Sequence, residues 1–125
     1  MPSVAEMRST VDKYLSLVGS GTAEEITALY ADGATLEDPV GAEPLVGLDA
    51  VLAFYKVIEP IQRSTELLFF KAAGDTAVFQ FRIVTTFGDT SIEIEPADIM
   101  RFDADGKITS MRAVWAEEEM VTRTA

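Results

Sequence analysis

Apolar side chains recur at helical intervals over the first sixty residues and at intervals of two thereafter. In residues 3–18, Val4, Met7, Val11, Tyr14, Leu15 and Val18 fall on one side of a helix. GSG at 19–21 ends it. TAEE follows, with Thr22 as cap and Glu25 three residues on, the pattern of a capping box. The spacing predicts a short second helix with Ile26, Leu29 and Tyr30 inward, stopped by ADG at 31–33. ATLED alternates as a short strand with Ala34, Leu36 and Asp38 on one face, ended by Pro39. PVGAEPLVG reads as loop. A third helix carries Leu48, Val51, Leu52, Tyr55 and Ile58, with Asp49 as its cap and Pro60 as its stop.

The second half reads as hairpins. TELLFFKAA meets a turn at Gly74–Asp75, and TAVFQFRIVTTF follows with Phe79, Phe81, Ile83 and Phe87 on one face. After GDT, the stretch SIEIEPADIM puts Ile92, Ile94, Pro96, Asp98 and Met100 on one side and Ser91, Glu93, Glu95, Ala97 and Ile99 on the other. It runs to Phe102, turns at DADG, and returns as KITSMRAVWA. EEEMVTRTA is expected as a loose tail. Helices followed by hairpins argue for an α+β fold, an antiparallel sheet with helices packed on one face. The expected form is three helices packed in a strongly curved, mostly antiparallel sheet, and such a sheet would leave an apolar hollow between the layers.

A length of 125 residues suits a single domain over 1–125. Twenty-one acidic against 10 basic residues give a net charge of −11, which repels phosphate backbones and anionic lipid. Nucleic acid and membrane are therefore poor partners. The N-terminal MPSVAEMRSTVDKY has charges throughout and no apolar run, so a cytoplasmic location is expected. Neither cysteine nor histidine occurs. Thiolate chemistry and Ser-His or Cys-His nucleophile pairs are excluded. No calcium-loop spacing appears, and no metal or cofactor is expected. Acid–base work falls to Asp, Glu, Tyr or Lys.

Tyr14, Asp38 and Asp98 are ionisable groups on apolar faces, and Tyr30 and Tyr55 also point inward. Each has an ordinary reading. An inward tyrosine is commonly a core residue with its hydroxyl tied to a carbonyl. Asp38 before Pro39 suits a turn. Asp98 could pair with Arg82 or Arg101, or a bulge after Pro96 could turn it outward. Glu37, Glu93, Glu95 and the run Glu117–Glu119 read as solvated faces. The sharper reading starts from burial, which disfavours a charged carboxyl and raises its pKa. A neutral acid becomes an O–H donor. Beside a phenol it makes a two-donor site for a carbonyl oxygen gaining charge, with a second carboxylate as base. That set abstracts a proton next to a ketone and holds the enolate.

Tyr14 on the first helix, TLEDPVGAEP around Asp38, EPADIMRF around Asp98 and the terminal KITSMRAVW together resemble the steroid Δ-isomerases, the bacterial ketosteroid isomerases. The resemblance covers nearly the whole chain. It implies a cone-shaped α+β barrel of the nuclear-transport-factor-two-like type, a homodimer, and a neutral steroid as substrate. It implies that Asp38 is the general base and that Tyr14 and protonated Asp98 are the oxyanion donors. Tyr30 and Tyr55 match tyrosines that bond toward Tyr14. Phe54, Phe81, Met100, Phe102, Met111 and Trp115 match positions at or near the steroid cleft. The chain departs from the family in two ways: one residue fewer between Asp38 and Asp98, expected within 60–75, and Met100 where an aromatic is usual. The competing readings are a dehydratase or polyketide cyclase, which typically use histidine, and a non-catalytic small-molecule binding or dimeric interaction module on the same fold.

Overall fold

The computed structural model describes residues 1–124. Helix α1 spans Val4–Ser20, α2 Ala23–Thr27 and α3 Leu48–Ile58. The strands are β1 Tyr30–Glu37, β2 Leu45–Val46, β3 Gln62–Ala73, β4 Thr76–Phe87, β5 Thr90–Ile94, β6 Ala97–Phe102, β7 Ile108–Val114 and β8 Val121–Thr124. They form one curled, unclosed sheet in the order β2-β1-β7-β6-β4-β5-β8, with β3 on the other edge of β4. All pairings are antiparallel except β1 with β7.

Capping boxes start both N-terminal helices: Ser3 with Glu6, and Thr22 with Glu25. α1 buries Met7, Val11, Tyr14, Leu15 and Val18 as its spacing predicts. Val4, in its first turn, is 52% exposed rather than inward. The helix runs through the first two residues of GSG and stops at Gly21, whose N–H donates to Leu17 O at 2.6 Å. A Cβ at Gly21 would sit 2.7 Å from Leu17 Cδ2, so only glycine lets the chain turn so close to the helix.

Several expectations are corrected. Tyr30 belongs to β1 rather than to the second helix. ADG at 31–33 lies inside that strand, where Gly33 takes φ +72°. The loop after Pro39 contains the short strand β2. Asp49 is not the cap of α3: Gly47, at φ +95°, holds that position without a side-chain bond, and Asp49 sits in the first turn. The C-terminal segment is not a loose tail. Glu117–Glu119 form a 3-10 turn, and β8 then pairs along the edge of β5, with Arg123 bonded to Glu93 at 3.1 Å. β5 presents an open row of backbone groups, and VTRT has the β-branched residues to pair with it.

The architecture turns on β4. Its first half pairs with β6 and its second half with β5, so one edge serves two successive strands. Between them the chain passes Glu95 and Pro96, and the Phe81 N–H donates to Pro96 O at 3.2 Å. Alternation survives this joint. Ile92, Ile94, Pro96, Asp98 and Met100 all face the concave side, and no bulge turns Asp98 outward.

Candidate active site

Tyr14 is delivered by α1, whose final turn is anchored to β3. Arg63 donates from Nε to Val18 O at 2.6 Å and from Nη2 to Gly21 O at 2.7 Å. Thr65 Oγ1 donates to Leu15 O at 2.7 Å. A cation on the last carbonyls of a helix also complements its dipole. These bonds fix how α1 lies across the sheet, and so where Tyr14 reaches. The Tyr14 ring meets Phe79 edge-on, with centroids 6.1 Å apart, and Phe79 is the register partner of Asp98. The strand pairing therefore brings the phenol and the acid to the same wall.

Behind Tyr14 stands a chain of phenols. The Tyr14 and Tyr55 hydroxyls are 3.0 Å apart, and those of Tyr55 and Tyr30 are 2.6 Å apart. Burial pushes all three well above the usual tyrosine pKa, so they stay neutral donors.

Asp98 is 1% exposed, and its Oδ1 has no hydrogen-bond partner among the described residues. Both arginines that could have paired with it are engaged elsewhere. Arg82 binds Glu66 at 2.7 Å and Glu95 at 2.9 Å on the convex side, and Arg101 binds Asp75 at 3.2 Å. Burial, and then the charge of Asp38, hold the Asp98 pKa well above the usual aspartate value. The fold thus favours the neutral acid, which presents a donor.

Asp38 follows β1 at a turn that the Val40 N–H secures by donating to Ala113 O at 2.8 Å. Trp115 Nε1–H donates to Asp38 Oδ1 at 2.7 Å. Burial raises the Asp38 pKa and the indole bond opposes that rise, because it stabilises the carboxylate. Asp38 and Asp98 therefore sit in different surroundings: one carboxyl accepts a bond, and the other has an oxygen that accepts none.

Tyr14, Asp38 and Asp98 line one cavity of about 340 Å³, large enough for a small organic ligand. Phe54, Tyr55, Phe81 and Trp115 line it too. Tyr30 stands one hydroxyl behind Tyr55, outside the lining. Met100, Phe102 and Met111 are buried in the core rather than set on the cavity wall. The rest of the wall comes largely from β4 and β5, through Ile83, Thr85, Phe87, Ile92 and Ile94. The period-two faces of those strands carried that signal. Met120 also lines the cavity, and nothing in the segment EEEMVTRTA pointed to it.

A family model described as the SnoaL-like domain matches residues 11–111. A steroid delta-isomerase from Nocardioides simplex is 48% identical over 121 residues, covering 97% of this chain and 98% of the relative. Among solved structures, the epoxide hydrolase/cyclase-like enzyme SalBIII of salinomycin pyran-ring formation superposes with a TM-score of 0.89 at 23% identity, covering 96% of this chain and 98% of that one. RV0760c from Mycobacterium tuberculosis does so with a TM-score of 0.88 at 21% identity, covering 98% and 100%. At those identities the two structures speak for the cone fold alone. The family match and the near-half identity across almost the whole length together place the chain in the SnoaL-like domain family, where it groups with the steroid delta-isomerases as an isomerase enzyme.

Proposed function

We propose that the chain moves a C=C bond from β,γ to α,β conjugation in 3-ketosteroids through a dienolate. The observation that carries this reading is the meeting of Tyr14, Asp38 and Asp98 in one apolar cavity, with Asp98 Oδ1 unbonded. The Asp38 carboxylate removes the proton from the carbon between the ketone and the double bond. The C–H electrons pass into the conjugated system and place negative charge on the ketone oxygen. Tyr14 and protonated Asp98 each donate a hydrogen bond to that oxygen. Tyr14 accepts from Tyr55, which accepts from Tyr30, so each phenol strengthens the donor in front of it. The Asp38 carboxylic acid then returns the proton to the far carbon of the dienolate, and the enone is conjugated. Atoms balance without a cofactor or a nucleophile.

The conjugated enone absorbs in the ultraviolet where the substrate does not, so absorbance growth with a β,γ-unsaturated 3-ketosteroid tests the reading. Binding of such steroids without any growth would leave a binding module in its place.

The Trp115 bond gives a pH prediction. Asp38 must be ionised to act, so kcat/KM falls as the pH drops through its pKa. Trp115→Phe keeps an apolar wall but removes the donor that favours the carboxylate. The acid limb of the kcat/KM–pH profile is expected to move to higher pH. An acid limb in the wild-type position would show that the indole does not tune the base.

We also infer a homodimer. The register row Phe69–Gln80–Ala97–Val114 crosses the convex face. Phe69 is 51% and Val114 46% exposed there, with Val78 beside them. Such a patch fits an isologous contact. Sedimentation equilibrium should give twice the chain mass, and a single-chain mass at all concentrations would contradict the dimer.

A further inference from the structure

The polar atoms of the cavity are unevenly spread. Tyr14, Tyr55, Asp98, Asp38 and Trp115 belong to the reacting end. Thr85 is the remaining side chain on the lining that carries a polar atom, and it stands among Ile83, Phe87 and Ile92. The strand register gives its distance from the chemistry. Asp98 pairs with Phe79, Ile83 pairs with Ile94, and Thr85 pairs with Ile92. From Phe79 to Thr85 is three inward steps along β4, roughly 20 Å of strand at about 3.3 Å per residue, and the curl of the sheet shortens the chord.

Phe81, Ile83, Ile92 and Ile94 make the lining between Asp98 and Thr85 apolar, and a rigid four-ring ketone held by Tyr14 and Asp98 would extend its opposite ring along this track. The ordinary account of Thr85 is a β-prone residue bonded to the neighbouring strand. Its one such bond, to Ile92 O, is 3.4 Å long, at the weak limit. The hydroxyl therefore keeps its acceptor capacity and loses little by turning to donate elsewhere. Valine would fill the same space in this apolar surround, so the packing does not call for the hydroxyl.

We infer that Thr85 recognises an oxygen substituent on the steroid ring farthest from the ketone, and so sets a preference for steroids oxygenated at that end. This rests on the isomerase reading above. The contact lies far from the reacting carbons and is equal in the ground and transition states, so it acts on KM rather than on kcat. A single neutral hydrogen bond corresponds to a preference of about 5- to 10-fold in kcat/KM.

The test compares two β,γ-unsaturated 3-ketosteroids that differ only by a hydroxyl or ketone on the far ring, with wild type, Thr85→Val and Thr85→Ser. Wild type is expected to favour the oxygenated steroid. Thr85→Val should bring the ratio close to one, through KM, and Thr85→Ser should keep most of it. A wild-type ratio near one overturns the inference, as does a ratio that survives in Thr85→Val. If wild type converts neither steroid, the isomerase reading itself has failed, a result distinct from the loss of the preference.

Discussion

Asp38→Asn is expected to lower kcat by about 10⁴-fold while a phenolic steroid still binds within a few-fold of its wild-type affinity. Asparagine matches aspartate in shape and can still accept from Trp115, so the turn and the wall stay in place. What it lacks is a basic oxygen, and the loss falls at the upper end of what a positioned general base contributes. In the proposed mechanism the phenol of the ligand takes the place of the dienolate oxygen at Tyr14 and Asp98, which the substitution leaves intact. Steady-state kinetics and a fluorescence titration separate the two effects. Loss of turnover and affinity together would mean that Asp38 organises the cavity rather than moving the proton.

Asp98→Leu and Tyr14→Phe are each expected to reduce kcat by roughly 10²–10³-fold, the loss typical of one oxyanion donor. Leucine suits the surroundings of residue 98, where Phe79 and Ala113 flank it in register, so the fold survives the change. The double variant should lose less than the product of the single losses, because in the proposed mechanism the two donors serve one oxygen.

The same residue has a signature in stability. Its folded-state pKa is raised, so the native chain holds a proton that the unfolded chain releases. The stability contributed by the protonated acid is complete below the unfolded aspartate pKa and is lost as the pH rises through the raised value. Wild type should therefore weaken toward alkaline pH more steeply than Asp98→Leu in chemical denaturation. Equal slopes for the two proteins would show that residue 98 is already ionised in the fold.

Much of this site was legible because the residues that carry it interrupt regular patterns. Asp98 stands in a period-two row with Ile94 and Met100, and Tyr14 stands in the apolar stripe of α1. Periodicity tells which side a residue faces but not how deep along the sheet it lies. That is why Met100, Phe102 and Met111 sit in the core while Ile83, Thr85 and Ile92 line the cavity, although all belong to strands that were read in the sequence. The C-terminal strand escaped detection for a different reason. β8 forms on an edge supplied by β5, some thirty residues earlier, and the acidic run before it reads as solvent-exposed chain. Tyr30 continues an apolar helical spacing, yet its backbone pairs with Ile108 on β7, so tertiary pairing outweighed the local signal. The partner that Asp98 lacks was also invisible, since the acidic neighbours of Arg82 and the bond that Arg101 donates to Asp75 emerge only when the strands are set side by side.

The most direct test of the account is the protonation state of Asp98 at neutral pH, read from the carbonyl stretch of a carboxylic acid in an infrared difference spectrum between wild type and Asp98→Leu. The expected result is an acid carbonyl band present in wild type at pH 7 and missing from the variant. A carboxylate band in its place, titrating near the ordinary aspartate value, would contradict the two-donor oxyanion site.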